Sequence, residues 1–332
     1  MAMTTSPRPA DGITRRRFLT GAGAAALGGL ALPALRPRMA LATPNDPATG
    51  DVLVVIFLRG GADGLSLVPP FSASGYQALR GAGTGNDVAV PPPNPTDPAN
   101  SAIDLGVTVN GHSFGLHPAL AGLTAVNDAG HLAIVHAVGM PAAESASRSH
   151  FTSMANWERG SADPAVSGGR LGRHLQASGT SATLAAVAHD DSIPASLRGD
   201  HRAVAVSAIA DFDVDGFWDP EVARDALDLK YPGGTIDPLV QQGADSLAAV
   251  DLMGAADPGQ LDVFGHLYPS QGPAGTFARG LREAAQLIRA DVGLRVLALD
   301  YAGWDFHDDM GPVSGGTMRS KAQGLGDALR AF

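Results

Sequence analysis

Val52-Leu53-Val54-Val55-Ile56-Phe57-Leu58-Arg59-Gly60-Gly61-Ala62-Asp63-Gly64 is the stretch whose reading decides the fold. Residues 52–58 are apolar without a break. A strand with one solvated face would alternate, so an unbroken run predicts a strand buried on both faces of a parallel sheet. The glycines that follow let the chain turn sharply. In open α/β sheets, ligands gather at the carboxyl ends of the strands. The turn after Leu58 is therefore the first place to look for chemistry.

Working outward, Pro118 fits a first helical position, with Leu120, Leu123 and Val126 at helical spacing and Gly130 as the stop. Residues 132–138 read as a second buried strand, and further strands fit 184–188, 204–209 and 294–300. Helices fit 149–160, 170–177, 221–227, 238–252 and 276–290. Residues 81–104, rich in Gly, Pro, Asn and Asp, read as a long surface excursion. Strands alternating with helices predict a mostly parallel sheet with helices on both faces. The last helical stretch, from Ser320, meets Phe332 with neither cap nor closing strand, which suggests a domain continuing beyond this C-terminus.

The N-terminus reads as an address. Thr14-Arg15-Arg16-Arg17-Phe18-Leu19 precedes a Gly/Ala-diluted apolar run, and Ala40-Leu41-Ala42 offers small residues for signal peptidase. This is the pattern of a twin-arginine signal over residues 1–42, read by the twin-arginine translocase and cleaved before Thr43. The run is too short and too diluted for a membrane span, so the mature form is expected without one. An exported location follows: periplasm, envelope or exterior. Residues 43–332 then form a single domain. The 332-residue chain carries 23 Lys and Arg against 33 Asp and Glu. Without the signal it is more acidic still, which argues against nucleic acid as a partner. It leaves an anionic ester substrate open, since a bound metal can reverse the local field. There is no cysteine, so any metal must use His, Asp, Glu or hydroxyl ligands.

Three clusters sit where strands end. In the first, Asp63 on a glycine-rich turn could reach a metal or substrate, or could simply cap its own loop. In the second, Ser147-Arg148-Ser149-His150-Phe151, a serine at a helix start lies near backbone N–H groups and the positive dipole end. Arg148 could add a forked contact to phosphate or sulfate oxygens. The bland alternative is a serine N-cap. The third, Asp300-Tyr301-Ala302-Gly303-Trp304-Asp305-Phe306-His307-Asp308-Asp309, has the mixed O/N character of a site for Zn²⁺, Mn²⁺ or another divalent ion, or is a solvated acidic loop. Asp211-x-Asp213-x-Asp215-Gly216 lacks the closing Glu of a calcium loop, having Val222 there. His117, at a helix start, is a weaker candidate for the site.

Phe57 to Leu65, Leu116-His117-Pro118, Arg148-Ser149-His150-Phe151 with Trp157-Glu158-Arg159-Gly160, and Gly303-Trp304-Asp305-x-His307 occur in this order. Together they resemble the exported family catalogued as domain of unknown function 1501, grouped with the alkaline phosphatase and sulfatase-like superfamily. The resemblance implies an alkaline-phosphatase-like α/β sandwich with a metal site along the sheet edge. It also implies Ser149 as nucleophile, Asp63 as a metal ligand beside it, and Asp305 with His307 as ligands of a partner ion; Zn or Mn suits these donors, and Arg148 would steady the anion. Against an active enzyme, Arg59-Gly60 stands where active members carry an acidic ligand. The reading is thus a metal-dependent phosphate- or sulfate-ester hydrolase, with a non-catalytic binding or envelope-assembly protein as the alternative.

Overall fold

A computed structural model describes residues 51–81, 87–136, 138–140, 148–180, 182–199, 201–214, 219–256, 267–307 and 309–332. The signal at 1–42, Ser147, Asp215 and Asp308 lie outside them. Strands β1 (Leu53–Leu58), β4 (Ala186–His189), β5 (Val204–Ala205) and β6 (Val296–Tyr301) form one parallel sheet in the order β1-β6-β4-β5. A separate antiparallel hairpin joins β2 (Ile103–Val109) to β3 (His112–Leu116). Among the described residues, the helices of nine residues or more are α1 (His150–Arg159), α2 (Arg170–Ser178), α3 (Pro220–Lys230), α4 (Pro238–Ala255), α5 (Gly275–Arg289) and α6 (Gly316–Ala331). No helix among the described residues is long and apolar enough to cross a membrane.

Alternation along the strands sorts their side chains into two cores. Val187, Leu297, Leu299 and Tyr301 join the larger core with Phe277, Leu281 and Leu287 of α5. Ala186, Ala188, Val296 and Ala298 join the smaller core with Leu171 and Leu175 of α2. The expected α/β sheet with helices on both faces is therefore present. Small alanines on the α2 side let that helix approach closely, while leucines on the α5 side fill a thicker layer.

Two expectations need correction. The run 52–58 is half-buried with Leu53 exposed, because β1 has β6 on one side and no ladder partner among the described residues on the other. Residues 132–136 form no strand: Leu132 and Ile134 touch the larger core, while Val135 is 76% exposed. An apolar run specifies burial, but a strand also requires a neighbouring backbone edge to satisfy its N–H and C=O groups. The surface excursion at 81–104 is exposed over 91–99 and is pinned where Val90 and Ala102 are buried with Val313 against Phe71.

Helix ends obey local chemistry. Asp219 and Asp237 cap α3 and α4, each followed by proline at the first helical position. Ser149 caps α1 by accepting from the Thr152 N–H, and Gly160 ends it in the left-handed conformation.

Candidate functional site

The loops leaving β1 and β6 are stitched together. The Arg59 N–H donates to the Tyr301 carbonyl at 3.1 Å, and the Trp304 N–H donates back to the Arg59 carbonyl at 2.9 Å. Gly60 and Gly61 make this possible. A Cβ on Gly60 would lie 2.5 Å from the Asp305 backbone nitrogen, and one on Gly61 would lie 2.6 Å from Nδ1 of His150. Both have φ above +100°, where side chains are strained. The two glycines thus draw Asp305 and the start of α1 to the carboxyl ends of the two strands.

What converges there is a carboxylate between two imidazoles. Oδ1 of Asp305 lies 3.6 Å from Nε2 of His150, and Oδ2 lies 3.1 Å from Nε2 of His307. The imidazoles meet edge to face with centroids 6.0 Å apart. His307 has φ +43°, a conformation uncommon for a non-glycine residue and concentrated at functional sites. The three side chains are between about a third and three-quarters exposed, so water and ligands reach them. Behind them Trp304 is fully buried, packed edge to face against Tyr301 and Phe306, which fixes the loop. Lys321 of α6 donates to the Ala302 carbonyl at 2.6 Å and lies over the Tyr301 ring.

The sequence-derived residues divide. Asp305 and His307 are adjacent. Ser149 and Arg148 sit exposed at the start of α1, next to His150. The Ser149 hydroxyl accepts from the Thr152 N–H at 3.4 Å, so it does serve as a cap. Asp63 turns elsewhere: its carboxylate pairs with Arg80, accepts from the Ser66 hydroxyl and caps the short helix Gly64–Leu67. His117 is buried, and its Nδ1 accepts from the Ala119 N–H at 3.1 Å. Burial, followed by the charge of Arg319, lowers its pKa to about 4, so it is a neutral structural cap.

Arg59 stands at the end of β1 and pairs with Asp300 on β6 and with Glu158 of α1, the latter at 3.0 Å. Burial would lower its pKa, but the hydrogen bonds it donates to Glu158 and then Asp300 raise it above the ordinary value. Burial likewise raises the pKa of Asp300 against the pull of Arg59. The triad ties both strands to α1, and it holds two carboxylates in ion pairs. His150 was part of a sequence cluster but carried no assigned role. Its position directly after a capping serine at a strand-end helix was the available signal.

Asp, His and His are the right kinds of donor for a borderline divalent ion. Among the described residues, however, no three His, Asp or Glu side chains are arranged as a ready metal cage. No family model, curated protein or solved structure matches this chain.

Proposed function

We propose that this chain belongs to an exported hydrolase of phosphate or sulfate esters, with an alkaline-phosphatase-like α/β architecture and a site built on His150, Asp305 and His307. The approach of Asp305 to two imidazoles at the carboxyl ends of paired parallel strands carries this reading. These three side chains are the candidates to hold a Zn or Mn ion, with His150 in place of Asp63. When bound, such an ion lowers the pKa of a nearby hydroxyl and offsets charge on the reacting group. Ser149, at the start of α1, would form the bond to phosphorus or sulfur as the ester alcohol departs. Water would then release the anion, restoring the hydroxyl. Arg148 supplies a guanidinium for the equatorial oxygens. The twin-arginine pattern at Arg15-Arg16 supports export of the folded, metal-loaded form.

A non-catalytic exported binding or assembly protein is the second reading. It is favoured by the ion pairs of Arg59 with Asp300 and Glu158 and of Asp63 with Arg80, which neutralise three carboxylates around the strand ends. Titration of chelator-treated protein with Zn²⁺ and Mn²⁺, followed by assay on aryl phosphates and sulfates, separates the two. The hydrolase reading expects saturable binding of at least one ion per chain and turnover that depends on it. Absence of both establishes the second reading.

A further inference from the structure

Beside this site lies a cleft of about 510 Å³ between the end of β1 and α1. Its walls are apolar: Phe57, Leu58 and Ala62 on one side, Met154 and Trp157 on the other. Among the described residues that line it, Arg148 and His150 are the ionisable ones and none is a carboxylate. That is unusual in a chain with 33 acidic residues against 23 basic ones. Arg148 is exposed and pairs with no acid among the described residues. The neighbouring cleft of about 340 Å³, across Met154, is different in kind. Its Arg59 is paired with Asp300 and Glu158, and its Arg159 donates to Asn156 and to the Ser161 carbonyl.

We infer that the 510 Å³ cleft is a subsite for an amphiphilic anion, with an aromatic or comparably flat apolar group between Trp157 and Phe57 and the anionic head at Arg148 and His150. The volume is within the range of small-molecule sites, which are mostly apolar with a few placed polar groups. Trp157 is 38% exposed, and Arg170 sits 5.0 Å from its ring centroid on the helix behind it, steadying the indole. An aromatic group entering the cleft covers indole and thioether surface that water now wets, while the guanidinium meets the anion with forked hydrogen bonds. Where the proposed hydrolysis occurs, the cleft would hold the departing alcohol. The substrate class is then aryl rather than small alkyl esters. This assignment rests on the hydrolase reading for its chemistry but not for its binding.

Calorimetric binding of 2-naphthyl phosphate and of methyl phosphate to the full chain tests it. The wild type should bind the naphthyl ester at least about tenfold more tightly, since the two differ only in the apolar group. Trp157→Leu should remove that preference and leave methyl phosphate unchanged. Ala62→Leu, which fills the cleft without removing a wall, should do the same. Arg148→Gln should weaken both ligands about tenfold. Equal affinity of the wild type for the two esters overturns the inference, as does a preference that survives both cleft variants. The preference without turnover leaves the subsite standing and removes the hydrolase. Turnover without the preference does the reverse.

Discussion

Replacing His117 with Asn should flatten the acid limb of the stability profile. The imidazole is 1% exposed and its Nδ1 already accepts a backbone N–H, so protonation must break that bond inside an apolar site. Burial holds its folded pKa at about 4, against about 6.5 in the unfolded chain. A pKa depressed on folding means that the unfolded state binds protons first. The stability is therefore fully present above pH 6.5 and is lost as pH falls toward 4. The difference corresponds to about 3 kcal/mol between pH 7.5 and pH 4, at 1.36 kcal/mol per pH decade. Asn can still accept at the cap position but does not titrate in this range. Urea unfolding at half-unit intervals from pH 7.5 to 4 gives both profiles. The carboxylates contribute equally to each, so the wild type should lose about 3 kcal/mol more than His117→Asn. Profiles that run parallel within about 0.5 kcal/mol would refute the buried neutral cap.

Arg59→Met should cost about 3–5 kcal/mol in chemical unfolding at pH 7, because it leaves Asp300 and Glu158 without their cation; a loss under 1 kcal/mol would show the ion pairs to be incidental. Gly61→Ala should cost about 1–3 kcal/mol and displace the His150 ring signals in NMR spectra, whereas Gly130→Ala, with a similar left-handed φ but open space around it, should leave those signals in place. Ser149→Ala should lose about 0.5–2 kcal/mol of stability and Ser149→Asp should restore it, since either a hydroxyl or a carboxylate caps α1. If Ser149 is also the nucleophile, neither variant hydrolyses esters, and full activity in Ser149→Ala would assign it to capping alone.

Much of the frame was legible because it depends on neighbours in sequence. The apolar run ending at Arg59-Gly60-Gly61 located β1 and its turn, and Ser149 and Gly160 bracketed α1 within a residue. The hairpin of β2 and β3 escaped notice because it lies almost wholly beyond the Gly-, Pro- and Asn-rich stretch at 81–104. Its signal was Asn110-Gly111, both with positive φ, between alternating residues of two strands. Residues 132–136 misled because hydropathy reports burial and says nothing about an available partner edge. The ion pairs were illegible for another reason. Arg59 meets Asp300 and Glu158 across 241 and 99 residues, and no local pattern distinguishes those acids from the others. Asp63 was overvalued because its turn position suited a ligand and a cap equally well; Arg80 and Ser66 take it in the folded chain.

Asp305, with His150 and His307, is proposed to hold a divalent ion. Metal content per chain, measured by mass spectrometry on wild type and Asp305→Asn purified side by side without chelator, tests it most directly. The substitution keeps the size of the side chain while removing its charge, so the loops closed over Gly60 should stay in place. The wild type should carry about one Zn or Mn and the variant at least tenfold less, with aryl ester hydrolysis falling in step. Equal metal content in the two proteins, or none in either, would contradict it.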